Sequence, residues 1–129
     1  RSSSIRINVE WPRALRAFYK NPLLGTGFSS INLATDNDYL RLLGETGILG
    51  FLSFLLIFFR LGQRFFKMIP FGKDISFLDS FIASFGAGSV GVLVNATLID
   101  VFEASKFAIV FWTVAAIAVS AMNLKIQKN

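Results

Sequence analysis

The chain reads as an all-α membrane protein, with amphipathic extracytoplasmic helices followed by three transmembrane helices. Three observations carry that expectation. Of 129 residues, 53% are hydrophobic and 16% charged, against about 25% charged in a soluble domain. Three apolar stretches follow Gly44, and the mean hydropathy is +0.58. The Lys and Arg residues fall in alternate connections between those stretches, as membrane orientation requires.

Composition also excludes chemistry. The sequence has no His and no Cys. A Ser-His-Asp or Cys-His couple, a zinc site of the usual N/S type, a haem histidine and a disulfide are therefore out. The net charge of +5 is scattered among apolar runs and forms no phosphate-binding stripe, so no nucleic-acid partner is expected. Membrane lipids are the expected surroundings. The first residue is Arg1, and the chain reads as a piece of a longer protein or as one with a processed terminus.

Residues 1–46 form the expected extracytoplasmic segment. Trp11, Ala14, Leu15 and Phe18 recur at i, i+3, i+4 and i+7, one apolar face of a helix. Pro12 fits only near a helix start, which places that start around Asn8 to Glu10. Asn21-Pro22 ends it, because the residue before proline resists the α region. Such a basic amphipathic helix suits a membrane surface or a partner helix, or a purely structural role. Gly25-Thr26-Gly27 marks a tight turn. Thr35 or Asp36 can cap the next helix from Asp38, with Thr35 and Asp38 at capping-box spacing.

Residues 47–129 form the expected three-helix transmembrane region. The first span, 47–66, has an uncharged heart from Ile48 to Phe59 and reaches full length if Arg60 and Arg64 extend to the interface. The second, 77–99, carries Ala83, Ala87, Gly91 and Asn95 at four-residue spacing, the small-residue face by which membrane helices approach closely. Interfacial placement accounts for Asp79. The third, 107–124, has no charge over 18 residues. Arg60, Arg64, Lys67 and Lys73 lie between the first two spans, and Lys125 and Lys128 follow the third. These place the 60–73 connection and the C-terminus in the cytoplasm. Asp100, Glu103 and Lys106, three apart on the outer hairpin, suit a salt-bridge staple or a group that orients arginines.

The run Asp36-Asn37-Asp38-Tyr39-Leu40-Arg41-Leu42-Leu43-Gly44-Glu45-Thr46-Gly47-Ile48-Leu49-Gly50 resembles the signature of the O-antigen ligase/polymerase family. The ligases show a His, then Asn, Ser or Gln, nine variable residues and G-x-x-G. Here Asn37 is followed by nine residues and then by Gly47-Ile48-Leu49-Gly50, in register. Asp36 stands in the His position, a departure that favours a polymerase or another transferase over a ligase. Arg6, Trp11, Ala14 and the string Asn21-Pro22-Leu23-Leu24-Gly25-Thr26-Gly27 resemble the family's outer loop.

The resemblance implies the C-terminal part of a polytopic glycosyltransferase of the bacterial inner membrane. Such an enzyme takes glycan from an undecaprenyl diphosphate-linked oligosaccharide donor to a glycan or lipid acceptor, with no cofactor and no metal. Arg6 would contact the diphosphate, whose developing charge wants fixed cations. Asp36 would act on the acceptor hydroxyl or merely cap its helix. Arg13, Arg16 and Asn37 would bind substrate, unless the arginines only line a solvated face. Gly25, Gly27, Gly47 and Gly50 would shape the backbone, with Gly47 and Gly50 packing closely on a neighbour. The rival reading is a non-enzymatic polytopic membrane protein, a transporter fragment or assembly subunit. Transporters place charges at mid-membrane. Here the charges gather at the outer surface.

Overall fold

The computed structural model describes residues 2–31, 35–68 and 76–128. It is all-α, with no strand among the described residues. The elements are α1 (Ser2–Ile5), a π-helical segment (Arg6–Glu10), α2 (Trp11–Lys20), α3 (Asp38–Met68), α4 (Phe77–Asn95) and α5 (Ser105–Lys128). The last three are long and apolar enough to cross a membrane. Lys73, counted above for orientation, lies outside the described residues.

The N-terminal helix begins earlier than expected. Helical backbone runs from Ser2 to Lys20, and the π-helical segment accommodates Pro12 inside it. Pro12 has no N–H, and its ring crowds the carbonyl four residues back. The turn widens there, and the Trp11 N–H donates to the Arg6 carbonyl, five residues back. Asn21, at φ −148°, ends α2 before Pro22 as expected. Ala14 is buried against α3, where its carbonyl lies 2.8 Å from where a Cβ on Gly44 would sit.

α3 is broken at Gly47, which has φ 66° and ψ −169°. Breaking a helix frees carbonyls on one side and amides on the other, and in a membrane those groups need partners. The 21–27 loop supplies them. Thr26 N donates to Gly44 O (3.1 Å) and Gly27 N to Glu45 O (2.9 Å). Ile48 N donates to Pro22 O (2.9 Å) and Leu49 N to Leu23 O (3.3 Å). The two glycine-containing strings of the sequence thus cross backbone to backbone. A Cβ on Gly47 would come within 2.5 Å of the Leu23 carbonyl, so only glycine fits. The tight contact of Gly50 is the side chain of Thr46, across the break at Gly47.

The bundle has two packed zones. Phe58, Phe102, Phe111 and Trp112 cluster toward the α4–α5 connection, with Phe58–Phe102 centroids 5.7 Å apart and Phe102–Phe111 5.4 Å apart. Phe65, Ile82, Ala118, Ala121 and Met122 form the core at the other end. There Ser76 and Asp79 form a reciprocal cap on α4, and Asp79 also pairs with Lys125. Asp79 is therefore a buried partner of a neighbouring helix and not a lone interfacial charge. The small-residue face of α4 is not a contact among the described residues, because Ala87, Gly91 and Asn95 are exposed. Helical backbone in this span ends at Asn95, short of the expected 99.

Candidate functional site

Two carboxylates tie the N-terminal end of α3 to the α4–α5 connection. Asp38 Oδ2 accepts from the amides of Val101 (2.7 Å) and Phe102 (2.9 Å). In return, Asp100 accepts from the amides of Thr35 (3.0 Å) and Asn37 (2.8 Å). Asp38 N also donates to Ala96 O at 2.9 Å, and the Tyr39 hydroxyl donates to Leu93 O at 2.7 Å. Each aspartate thereby satisfies backbone that the other segment leaves open, and burial strengthens both sets of bonds.

Arg41 stands at the centre of this clasp, 9% exposed. It pairs with Asp100 (3.0 Å), Glu103 and Glu45 (3.4 Å), and donates to Ile31 O (3.3 Å). The expected staple among Asp100, Glu103 and Lys106 does not form. Residues 100–104 are turn rather than helix, and Arg41 supplies the cation. Burial pushes the Glu103 carboxyl above its ordinary range, against the pull of Arg41.

The two residues nominated as catalytic meet beside the clasp. Arg6 Nε donates to Asp36 Oδ2 at 2.8 Å, across 30 positions of sequence. The pair stays reachable, with side chains 27% and 31% exposed. Asp36 does not cap α3. That role falls to Asn37, whose Oδ1 accepts from Leu40 N at 3.0 Å. The backbone of Asp36, at φ 48°, is left-handed, a conformation that Asp adopts more readily than most residues. It turns the carboxylate from its own helix toward Arg6.

Around the pair lie polar groups without partners. Glu10 Oε2, Trp11 Nε1 and Thr35 Oγ1 are buried and make no hydrogen bond within the described structure. Burial first, and the negative charge of Asp36 second, push the Glu10 carboxyl above its ordinary range. Arg6 and Glu10 are the first and last residues of the π-helical segment. Buried polar atoms normally have partners, and these three find none among the described residues.

The other nominated residues are more dispersed. The Asn37 amide group is committed to Thr97 O at 3.1 Å, besides its capping oxygen. Arg16 is exposed and bonds Pro12 O within its own helix. Arg13 is half-buried on the same helix. Gly25 and Gly47 meet at the backbone crossing, whereas Gly27 has open space beside it. Sequence reasoning points to Asp100 and Glu103 as partners of a cation but misses Asp38, Arg41 and Glu45 as members of the clasp. Asp38, Arg41 and Glu45 are charged residues just before an apolar span, which is a signal for buried pairing. No metal-binding cluster of three acidic side chains occurs among the described residues.

In comparisons with known proteins, no family model, no characterised protein and no solved structure matches this chain.

Proposed function

We propose that the chain is part of a membrane glycosyltransferase of the O-antigen ligase/polymerase type, acting on an undecaprenyl diphosphate-linked glycan in cell-surface polysaccharide synthesis. The observation that carries this reading is the Arg6–Asp36 pair. The resemblance assigns the two residues complementary roles from distant positions, and they lie in contact. Glu10, whose carboxyl feels the charges of both Asp36 and Arg6, is a further polar group at this centre.

The chemistry follows from the pair. A carrier diphosphate presents Arg6 with a denser anion than one carboxylate, in a geometry its planar fork can grip twice. Arg6 shifts to the diphosphate and releases the Asp36 carboxylate. Asp36 then takes the proton from an acceptor hydroxyl as that oxygen attacks the anomeric carbon. The bond from the anomeric carbon to the diphosphate oxygen breaks, and Arg6 receives the charge on the leaving group. The clasp centred on Arg41 holds the Asp36 loop in place. The Lys/Arg bias supports an extracytoplasmic side for this centre, and the family resemblance implies the bacterial inner membrane.

The test uses membranes containing the full-length protein and an undecaprenyl diphosphate-linked oligosaccharide donor, with product chains resolved by gel. Arg6→Ala should lower turnover by about 100-fold or more, as for loss of one donor to a developing anion. Arg6→Lys should recover part of that loss. Unchanged turnover in Arg6→Ala would remove Arg6 from the reaction.

A further inference from the structure

We infer that the seam between α3 and α5 binds one anionic phospholipid, headgroup at the end of the bundle far from Arg6 and acyl chain along the seam. This assignment rests on the membrane-spanning helices alone and is independent of glycan transfer.

The headgroup end comes from Arg60, Arg64 and Lys67. They recur at i, i+4 and i+7, one face of a helix, and all three are exposed. No described ion pair includes them. With Gln63 they line a cleft of about 490 Å³ whose floor is Ile57, Leu61 and Val119. Three cations and an amide over an apolar floor complement a phosphate attached to a hydrocarbon chain.

The chain end comes from a second cleft of about 490 Å³ that shares Ile57, Leu61 and Val119 with the first. It follows α5 from Trp112 to Asn123, and Ala115 and Ala116 keep it open. From Val119, where the clefts meet, to Trp112 this is about 10 Å of trough at 1.5 Å per helical residue, enough for part of an acyl chain. The two clefts join at Ile57, Leu61 and Val119, with Arg60, Arg64 and Lys67 at one end, Ser120 and Asn123 beside them, and an apolar lining from Val119 to Trp112. The bias of Lys and Arg toward one side of a membrane explains basic residues after a span. It does not require them to converge on the end of an apolar trough, and it predicts no preference for a particular lipid.

The purified full-length protein in detergent is titrated with phosphatidylglycerol or phosphatidylcholine, and bound lipid is counted by native mass spectrometry. One phosphatidylglycerol should bind in preference to phosphatidylcholine. A basic residue near an anionic surface is worth about fivefold in affinity. Neutralising three, in Arg60→Gln/Arg64→Gln/Lys67→Gln, should therefore weaken phosphatidylglycerol binding by about 100-fold. Arg60→Lys/Arg64→Lys keeps the charge and should retain most of the preference. Ala116→Trp fills the trough without touching a charge and should also displace the lipid. Circular dichroism of each variant separates lost binding from lost fold. Equal binding of the two lipids, or unchanged phosphatidylglycerol binding in either the neutralised or the Ala116→Trp protein, would overturn the assignment.

Discussion

Replacing Gly47 with alanine should unlock the crossing of the 21–27 loop with α3. The residue sits at φ 66°, ψ −169°, a region essentially confined to glycine and costing other residues about 1–3 kcal/mol. The added Cβ would also lie 2.5 Å from the Leu23 carbonyl carbon and 2.6 Å from Gly25 N. Neither neighbour is a side chain that can swing aside. The two chains must separate, which weakens the four crossing hydrogen bonds at Gly44, Glu45, Ile48 and Leu49. Each contributes about 0.5–1.5 kcal/mol when made. Strain plus even partial loss of the bonds comes to on the order of 3 kcal/mol, a large share of the 5–15 kcal/mol that typically separates folded from unfolded chains. The control is Gly62→Ala, where a Cβ meets nothing within 4 Å and alanine favours helix by roughly 0.5–1 kcal/mol. Thermal unfolding in detergent should show Gly47→Ala melting about 10 °C or more below the parent and Gly62→Ala at or slightly above it. Equal melting of Gly47→Ala and the parent would refute the crossing as a structural requirement.

Two further predictions concern charge. Arg41→Met leaves Glu45 and Asp100 buried without their cation and should cost about 3–5 kcal/mol. Lys125→Met, at a pair whose lysine is 29% exposed, should cost distinctly less, because water screens the partly exposed pair; paired denaturation midpoints check both. Glu10 has its carboxyl pushed above the ordinary range in the folded protein. Its charged form therefore costs stability above the folded-state pKa, and that cost disappears as pH falls through it. Glu10→Gln should be more stable than the parent near pH 8, with the gap closing toward about pH 4; a gap that widens on acidification would reverse the sign.

The spans were legible because an uncharged apolar run of that length has few other uses, and Phe107 to Leu124 has no competing pattern. The end of α2 was legible because proline constrains its predecessor locally. Its start was not, since a widened turn lets a helix continue past Pro12 and leaves no mark on hydrophobic period. Gly47 looked like a packing glycine. That its backbone leaves the helix depends on the loop at 21–27, which local spacing does not reveal. The clasp was half legible. Asp38, Arg41 and Glu45 stand at one end of a span, and Asp100 and Glu103 stand at the facing end of another. Which acid takes which cation is settled by turn geometry around Ala96 and Asp100, over separations such as 63 residues. Arg6 and Asp36 were nominated by resemblance, while their contact required the left-handed backbone at Asp36.

Turnover of Asp36→Asn is the most direct measurement of the central claim that the Arg6–Asp36 pair is a reaction centre. Asparagine can adopt the same left-handed backbone and can still accept a hydrogen bond from Arg6, but it cannot take up a proton. With normal insertion and an unchanged melting temperature, glycan transfer from the undecaprenyl diphosphate-linked donor should fall by about 100-fold or more. Transfer at the parental rate in that variant would contradict the account and leave the pair a surface salt bridge.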